Sequence, residues 1–206
     1  MKTVVCLNGP PRSGKDTLAK MFEENCVATR HCENKEALMR LALEISGVSK
    51  SEWYERYNSK LQVLPSSTAL WKKDLPWYLL PYNKKTGDCF SQRDFLIYIS
   101  ENVMKPHFGN DYFGQKSAHL VIHDKENDTF AFSDGGFPEE LEVMFQYPEI
   151  KVVLVRLHRK DCDFSKDSRD YLFLPEGCDE KHTEADIFVG ENQIEKAFDQ
   201  IYDLVF

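Results

Sequence analysis

Residues 3–25 constrain this chain more than any other stretch. A short apolar run, Val4-Val5-Cys6-Leu7, stops at Asn8 and enters Gly9-Pro10-Pro11-Arg12-Ser13-Gly14-Lys15-Asp16-Thr17. The loop fits G-x-x-x-x-G-K, and Leu18, Met21 and Phe22 then repeat at helical spacing across residues 16–25. Strand, glycine loop, lysine and helix in that register make an anion site. Loop N–H groups form a nest, and the helix start adds partial positive charge. Gly9 and Gly14 let the backbone approach phosphate oxygens. Lys15 reaches the β- and γ-phosphates of a nucleoside triphosphate. Arg12, Ser13, Asp16 and Thr17 complete the expected nucleotide-binding set. The residue after the lysine is commonly Ser or Thr, whose hydroxyl holds Mg²⁺. Here it is Asp16, followed by Thr17. Either Asp16, through water, or the Thr17 hydroxyl would hold the metal.

The rest of the chain alternates strand and helix patterns. Helices are expected at 35–46, ended by Gly47, and at 91–104, capped by Ser91 with a Phe95, Ile99, Val103 stripe. Residues 112–122 fit helix or strand. A strand over 129–133 stops at Asp134-Gly135-Gly136, and 138–145 reads as helix. KVVLVRL at 151–157 is the strongest strand pattern, 186–189 is a short strand, and 193–205 closes the chain as a helix. This alternation predicts a three-layer α/β fold: a mostly parallel sheet flanked by helices, with right-handed crossovers. It is read as one P-loop domain over 1–206. Residues 50–90 hold all three tryptophans and Pro65, Pro76 and Pro81, and are read as a helix-and-loop insert.

Two further segments fit phosphate chemistry. Asp134 follows an apolar strand at the C-terminal edge of the sheet, where ligands bind in open α/β folds and where an acid orients Mg²⁺ or a substrate hydroxyl. Basic residues follow the strongest strand: Arg156, His158, Arg159, Lys160, Lys166 and Arg169. Residues 157–181 are read as a lid-like segment, with Arg156 and one of Arg159 or Arg169 covering the transferring group. Arg93 opens its helix as a residue able to grip a phosphate bidentately, and Lys35 is a weaker case of the same kind.

Composition narrows the partners. The 206 residues carry 34 acids against 26 bases, a formal charge of -8. A polynucleotide partner would want clustered Lys and Arg over a broad face. A focused basic cleft in an acidic chain suits small, Mg²⁺-bound anions instead. The six cysteines show no C-x-x-C, so free thiols in a reducing cytoplasm are expected. No signal peptide or membrane span is read, and no zinc spacing or nucleophilic triad. A homodimer is allowed.

Several segments, in order, resemble the deoxynucleoside monophosphate kinases of tailed phages. Residues 12–17 resemble the family's R-S-G-K-D-T loop, in which Asp after the lysine is normal. Arg93 to Glu101 resembles its R-x-L-L-x-x-I-G-T segment, and Asp111-Tyr112-Phe113 its D-x-W. Ser133 to Glu140 resembles its D-x-R-F-x-x-E, residues 151–156 the strand before its lid, and His182-Thr183-Glu184 its H-x-E. The resemblance implies transfer of the ATP γ-phosphoryl group to a deoxynucleoside 5′-monophosphate with Mg²⁺. It implies Lys15, Asp134 and Arg156 as catalytic residues and Arg159 on ATP. It places Lys35, Arg93, Ser100, Phe113, Asp134 and Glu140 around the acceptor. Gly136 stands where the family has an arginine, Ser100-Glu101 where it has Gly-Thr, and Phe113 where it has tryptophan. The competing readings are a kinase for another small phosphorylated metabolite and a nucleotide-binding regulator without turnover.

Overall fold

The computed structural model describes residues 1–47, 49–58, 92–165, 167 and 169–206, with the side chains at 56–58 and 92–94 outside that description. Most of the aromatic-rich insert, Ser91, Lys166 and the Arg93 side chain therefore lie outside the described residues. The chain divides into two compact units, one of Met1–Asn34 with Phe113–Phe206 and one of Lys35–Tyr112.

The first unit is a three-layer α/β fold. Its strands are β1 (Lys2–Asn8), β2 (Thr29–Cys32), β3 (Thr129–Phe132), β4 (Ile150–Arg159) and β5 (Thr183–Val189). They lie in the order β2-β3-β1-β4-β5, and every pair is parallel. The expected α/β architecture is the one the chain adopts. Successive side chains of a strand point to opposite faces, and here both faces are covered. Val5, Leu7, Val153 and Val155 pack with Leu18, Ala19 and Phe22 of α1 (Lys15–Asn25) and with Ala197 and Ile201 at the chain's C-terminal helix (Ile194–Val205). On the other face, Val4, Cys6, Phe130 and Leu154 pack with the helices at Tyr112–His123 and Pro138–Phe145. The ambiguous segment at 112–122 is thus helical. Gly114 explains how closely its helix sits on the next one: a Cβ there would fall 2.8 Å from the Glu140 Cα.

The winding reverses at β1. From β1 the chain passes over β3 to the β2 edge. After β3 it passes over β1 to β4 and β5. That reversal opens a crevice at the C-terminal ends of the central strands. Register brings Cys6 beside Phe132, Cys32 beside Phe132 and Asn8 beside Arg156. The segments leaving β1, β2 and β3 consequently emerge on one edge.

The sequence reading missed β2. Its residues, Thr-Arg-His-Cys, show no apolar alternation because it is an edge strand held mainly by pairing to β3. The lid-like segment also differs from expectation. Residues 157–159 complete β4, and the described residues of 160–182 form turns and coil with no helix.

The second unit contains α2 (Lys35–Ser46), α3 (Lys50–Asn58), α4 (Gln92–Tyr98) and α5 (Lys105–Phe108), with a π-helical turn at Ile99–Met104 between α4 and α5. The helix at 35–46 has its expected bounds. The π turn moves the buried stripe. Phe95 and Ile99 are buried as expected, but the next buried apolar residue is Met104, five positions on, and Val103 is half-buried. No helix of the described residues is long and apolar enough to cross a membrane.

In the first unit, the helices at 112–123, 138–145 and 194–205 are α6, α7 and α8.

Candidate active site

The last residue of β1 organises the edge. Asn8 is fully buried. Its side-chain amide donates to the carbonyls of Gly135 (3.3 Å) and Asp170 (3.2 Å), and its Oδ1 accepts from the Leu172 N–H at 3.0 Å. One side chain therefore ties the loop after β3 and the 170–172 stretch to the start of the glycine loop. Sequence reasoning passed over Asn8, although a polar residue closing a buried strand is a signal of this kind.

The loop itself is cramped where the motif has glycine. A Cβ on Gly9 would fall 2.8 Å from the Ser13 Oγ and 2.9 Å from the Leu157 carbonyl oxygen. Arg12 and Gly14 take positive φ values of 70° and 109°, which fold the chain back onto the start of α1. Lys15 is the first residue of that helix. Its ammonium donates to the Gly9 and Pro10 carbonyls, both at 2.7 Å, and lies 3.5 Å from the Ser13 Oγ. Burial first, then the charge of Arg169, lowers its pKa from 10.5 to about 8 against the opposite pull of Asp16 and Asp167. A lysine held by neutral carbonyls keeps its positive charge available to an anion.

Asp134 leaves β3 two residues beyond Phe132, and its Oδ1 accepts the Asn34 backbone N–H at 2.7 Å. Beside it, the Ser133 hydroxyl hydrogen-bonds the His31 Nε2 at 2.8 Å. Asp16, His31 and Glu33 bring one ligand atom each within 4.8 Å of one another. The two carboxylates are the hard oxygen donors that Mg²⁺ takes, alongside waters and phosphate oxygens. The imidazole suits softer divalent ions better. Asp16 and Thr17 are both exposed at the loop's end, so either can face a metal there. The Gly9 cradle and Lys15 fit a nucleotide phosphate.

Arg159, at the end of β4, donates through Nη1 to the Arg12 carbonyl at 3.3 Å. It therefore lies against the glycine loop. Arg156 is placed differently from its expected lid role. It stands inside β4 opposite Asn8 and Asp186, and is 6% exposed. Its Nε and Nη2 donate to Asp186 at 2.9 and 2.7 Å, and its Nη1 donates to Glu184 at 2.7 Å and to the Leu172 carbonyl at 3.2 Å. The Phe173 ring covers the guanidinium at 4.6 Å. Those hydrogen bonds hold its pKa above the ordinary arginine value and hold Asp186 well below the usual carboxylate range. An arginine so neutralised braces the β4–β5 edge and does not close over a ligand.

The remaining residues divide between the units. Phe113 and Glu140 belong to the sheet unit; Phe113 is 4% exposed and Glu140 half-buried. Lys35, Arg93 and Ser100 belong to the helical unit. There Lys35 starts α2, which packs on α4 and the π turn, and the Ser100 hydroxyl donates to Glu101 at 3.0 Å. His182 is structural: its Nδ1 accepts the Val152 N–H at 3.0 Å, and burial lowers its pKa. Cys6, Cys26, Cys32, Cys162 and Cys178 are free thiols, and burial pushes Cys6 up to about 12.

No protein-family model matches the chain, and no curated protein matches it. Among solved structures it is similar to an unliganded sugar kinase from Janibacter sp. HTCC2649, at 12% identity and a TM-score of 0.37. The match covers 98% of this chain and 93% of that one. A likeness that loose carries no argument about reaction or substrate.

Proposed function

We propose that this chain is a P-loop kinase that moves the γ-phosphoryl group of ATP to a deoxynucleoside 5′-monophosphate. The observation that carries the reading is Lys15. It is a buried ammonium held only by uncharged oxygens, in a loop whose first glycine has no room for a side chain, at the point where the sheet's winding reverses. ATP supplies the phosphoryl group when bound, and Mg²⁺ neutralises its phosphates.

The chain's own residues do the positioning. The backbone from Gly9 to Gly14 and the start of α1 direct N–H groups at the phosphates. Lys15 offsets the charge that accumulates on the transferring group. Asp16 with Glu33, or the Thr17 hydroxyl, holds the metal. Arg159 covers the outer side of the loop. Asp134, fixed by the Asn34 N–H, orients the metal or the acceptor nucleotide, whose attacking atom is a phosphate oxygen. No side chain need form a covalent intermediate, since catalysis of this type is alignment plus charge stabilisation. The acceptor phosphate is assigned to Lys35, Arg93 and Ser100 on the strength of the family resemblance, with Phe113 and Glu140 toward base and sugar.

A coupled ADP-release assay with Mg²⁺-ATP against all the deoxynucleoside monophosphates tests this. Acceptor-dependent turnover with at least one of them is expected. Turnover only with a non-nucleotide phosphorylated acceptor would replace the substrate. Nucleotide binding without any turnover would replace the enzyme reading by a regulator.

A further inference from the structure

A cavity of about 470 Å³ lies on the sheet edge opposite the glycine loop, beside the starts of β4 and β5. The end of α7 and the turn after it supply one wall, with Phe145 and Pro148. Residues 175–182 supply the other, with Pro175, Cys178 and His182. Two turns hold that second wall in shape. The Cys178 N–H donates to the Pro175 carbonyl at 3.2 Å, and the His182 N–H donates to the Asp179 carbonyl at 2.9 Å. Lys181 ties the walls together, its ammonium donating to the Pro148 carbonyl at 2.9 Å. All of these residues belong to the sheet unit.

His182 supplies the polar group that a ligand would meet. It is 7% exposed, and its Nδ1 accepts the Val152 N–H at 3.0 Å. A backbone N–H can only donate, so Nδ1 carries the lone pair and the neutral ring carries its proton on Nε2. Burial lowers the pKa of the ring and so favours that neutral form. The Nε2–H has no hydrogen-bond partner among the described residues, and it is not one of their sealed polar atoms. The Phe145 ring stands edge-on to the imidazole, with centroids 4.8 Å apart. A donor in so buried a ring is costly to leave without an acceptor.

The walls name the chemistry that fits. Phe145, Pro148 and Pro175 offer flat apolar surfaces, which suit a planar ring. One buried donor asks for one acceptor on that ring, a carbonyl oxygen or a ring nitrogen. Glu176 and Asp179 line the cavity against a single cation, Lys181, which disfavours an anion.

We propose that this cavity is a second ligand site, which takes a small uncharged heteroaromatic ring whose acceptor bonds the His182 Nε2–H. The site is separate from the phosphate loop and does not rest on the kinase reading. His182 then has two tasks: Nδ1 secures β4, and Nε2 reads the ligand.

The test uses uniformly ¹⁵N-labelled protein titrated with nicotinamide and with nicotinate, the same ring carrying a carboxylate. Nicotinamide is expected to shift the His182 Nε2 resonance and the Val152 and Gly177 amides along one saturable curve, with the other histidines unmoved. Nicotinate is expected to need about threefold more or higher, because two carboxylates face it. In His182→Asn the Oδ1 takes the place of Nδ1 toward Val152 while nothing replaces Nε2, so the Gly177 shift is expected to weaken about fivefold or more. Cys178→Phe fills the cavity from a half-buried position and is expected to abolish the shift with the fold intact. No saturable change at His182 up to the solubility of nicotinamide would overturn the proposal. Equal affinity for nicotinate, or unchanged affinity in folded His182→Asn or Cys178→Phe, would overturn it as well.

Discussion

Two buried cations stand on the same edge of the sheet and have opposite surroundings. Lys15 is held by the carbonyls of Gly9 and Pro10, and its pKa falls to about 8. Arg156 is held by the carboxylates of Asp186 and Glu184, and its proton is bound more tightly than usual. The difference lies in what is left over. Lys15 bonds uncharged oxygens, so its charge is left for a ligand to bond. Arg156 has its charge balanced inside the protein, and its job is to pin residues 172–174 to β5. Leu174 completes that join by donating its N–H to Glu184 at 3.0 Å. A basic residue near a phosphate loop is thus a ligand group only when the fold has not already paired it.

This contrast can be broken by substitution. Lys15→Ala should lower ATP affinity about a hundredfold or more, since it removes a charged partner of the phosphates. Its urea midpoint should change little, because the loop carbonyls it leaves can hydrate. Arg156→Met should do the reverse. Loss of a buried, multiply bonded guanidinium should cost about 2–3 kcal/mol in urea unfolding. The folded fraction should bind ATP as the wild type does. If Arg156→Met instead abolished binding at unchanged stability, the two roles assigned here would be exchanged.

Smaller effects sharpen the same comparison. Gly9→Ala should destabilise the protein by about 1–3 kcal/mol, because its Cβ meets the Leu157 carbonyl. It should weaken ATP as well. Acid titration separates the cations further. Asp186 is held below its unfolded pKa by Arg156, so its stabilising contribution is complete above the unfolded carboxylate range and is lost as pH falls through and below it. Arg156→Met should flatten that part of the stability curve, and Lys15→Ala should leave it unchanged. His182, held below its ordinary pKa, adds a loss of stability as pH falls below about 6.5.

Legibility in the sequence followed locality. The strand, loop and helix at 2–25 could be read because the apolar run, the glycines and Lys15 are neighbours in the chain. The helices at 35–46 and 138–145 were equally plain from their apolar faces. β2 was not, because Thr29-Arg30-His31-Cys32 becomes a strand only by pairing with residues a hundred positions away. Arg156 was visible as a strand-end base. Its partners come from β5, thirty residues on, so its pairing could not be read. Gly136 looked like the loss of an arginine. The reason for the glycine is Arg169, which crosses it from a distant loop. The π turn also hid itself, since Phe95, Ile99 and Val103 make a good α-helical stripe until the backbone slips by one residue.

Lys15 offers its charge to a bound phosphate, which should in turn hold the lysine's proton more tightly. With a pKa lowered to about 8 it loses part of its charge as pH rises above that value, and a bound phosphate should restore the proton. Calorimetry of Mg²⁺-ATP binding at pH 8.5 in buffers of different ionisation enthalpy measures that uptake directly. Net proton uptake at pH 8.5 that fades toward zero by pH 6.5 and is absent in Lys15→Ala is the expected result. ATP binding with no proton uptake at pH 8.5, or with the same uptake in Lys15→Ala, would contradict it.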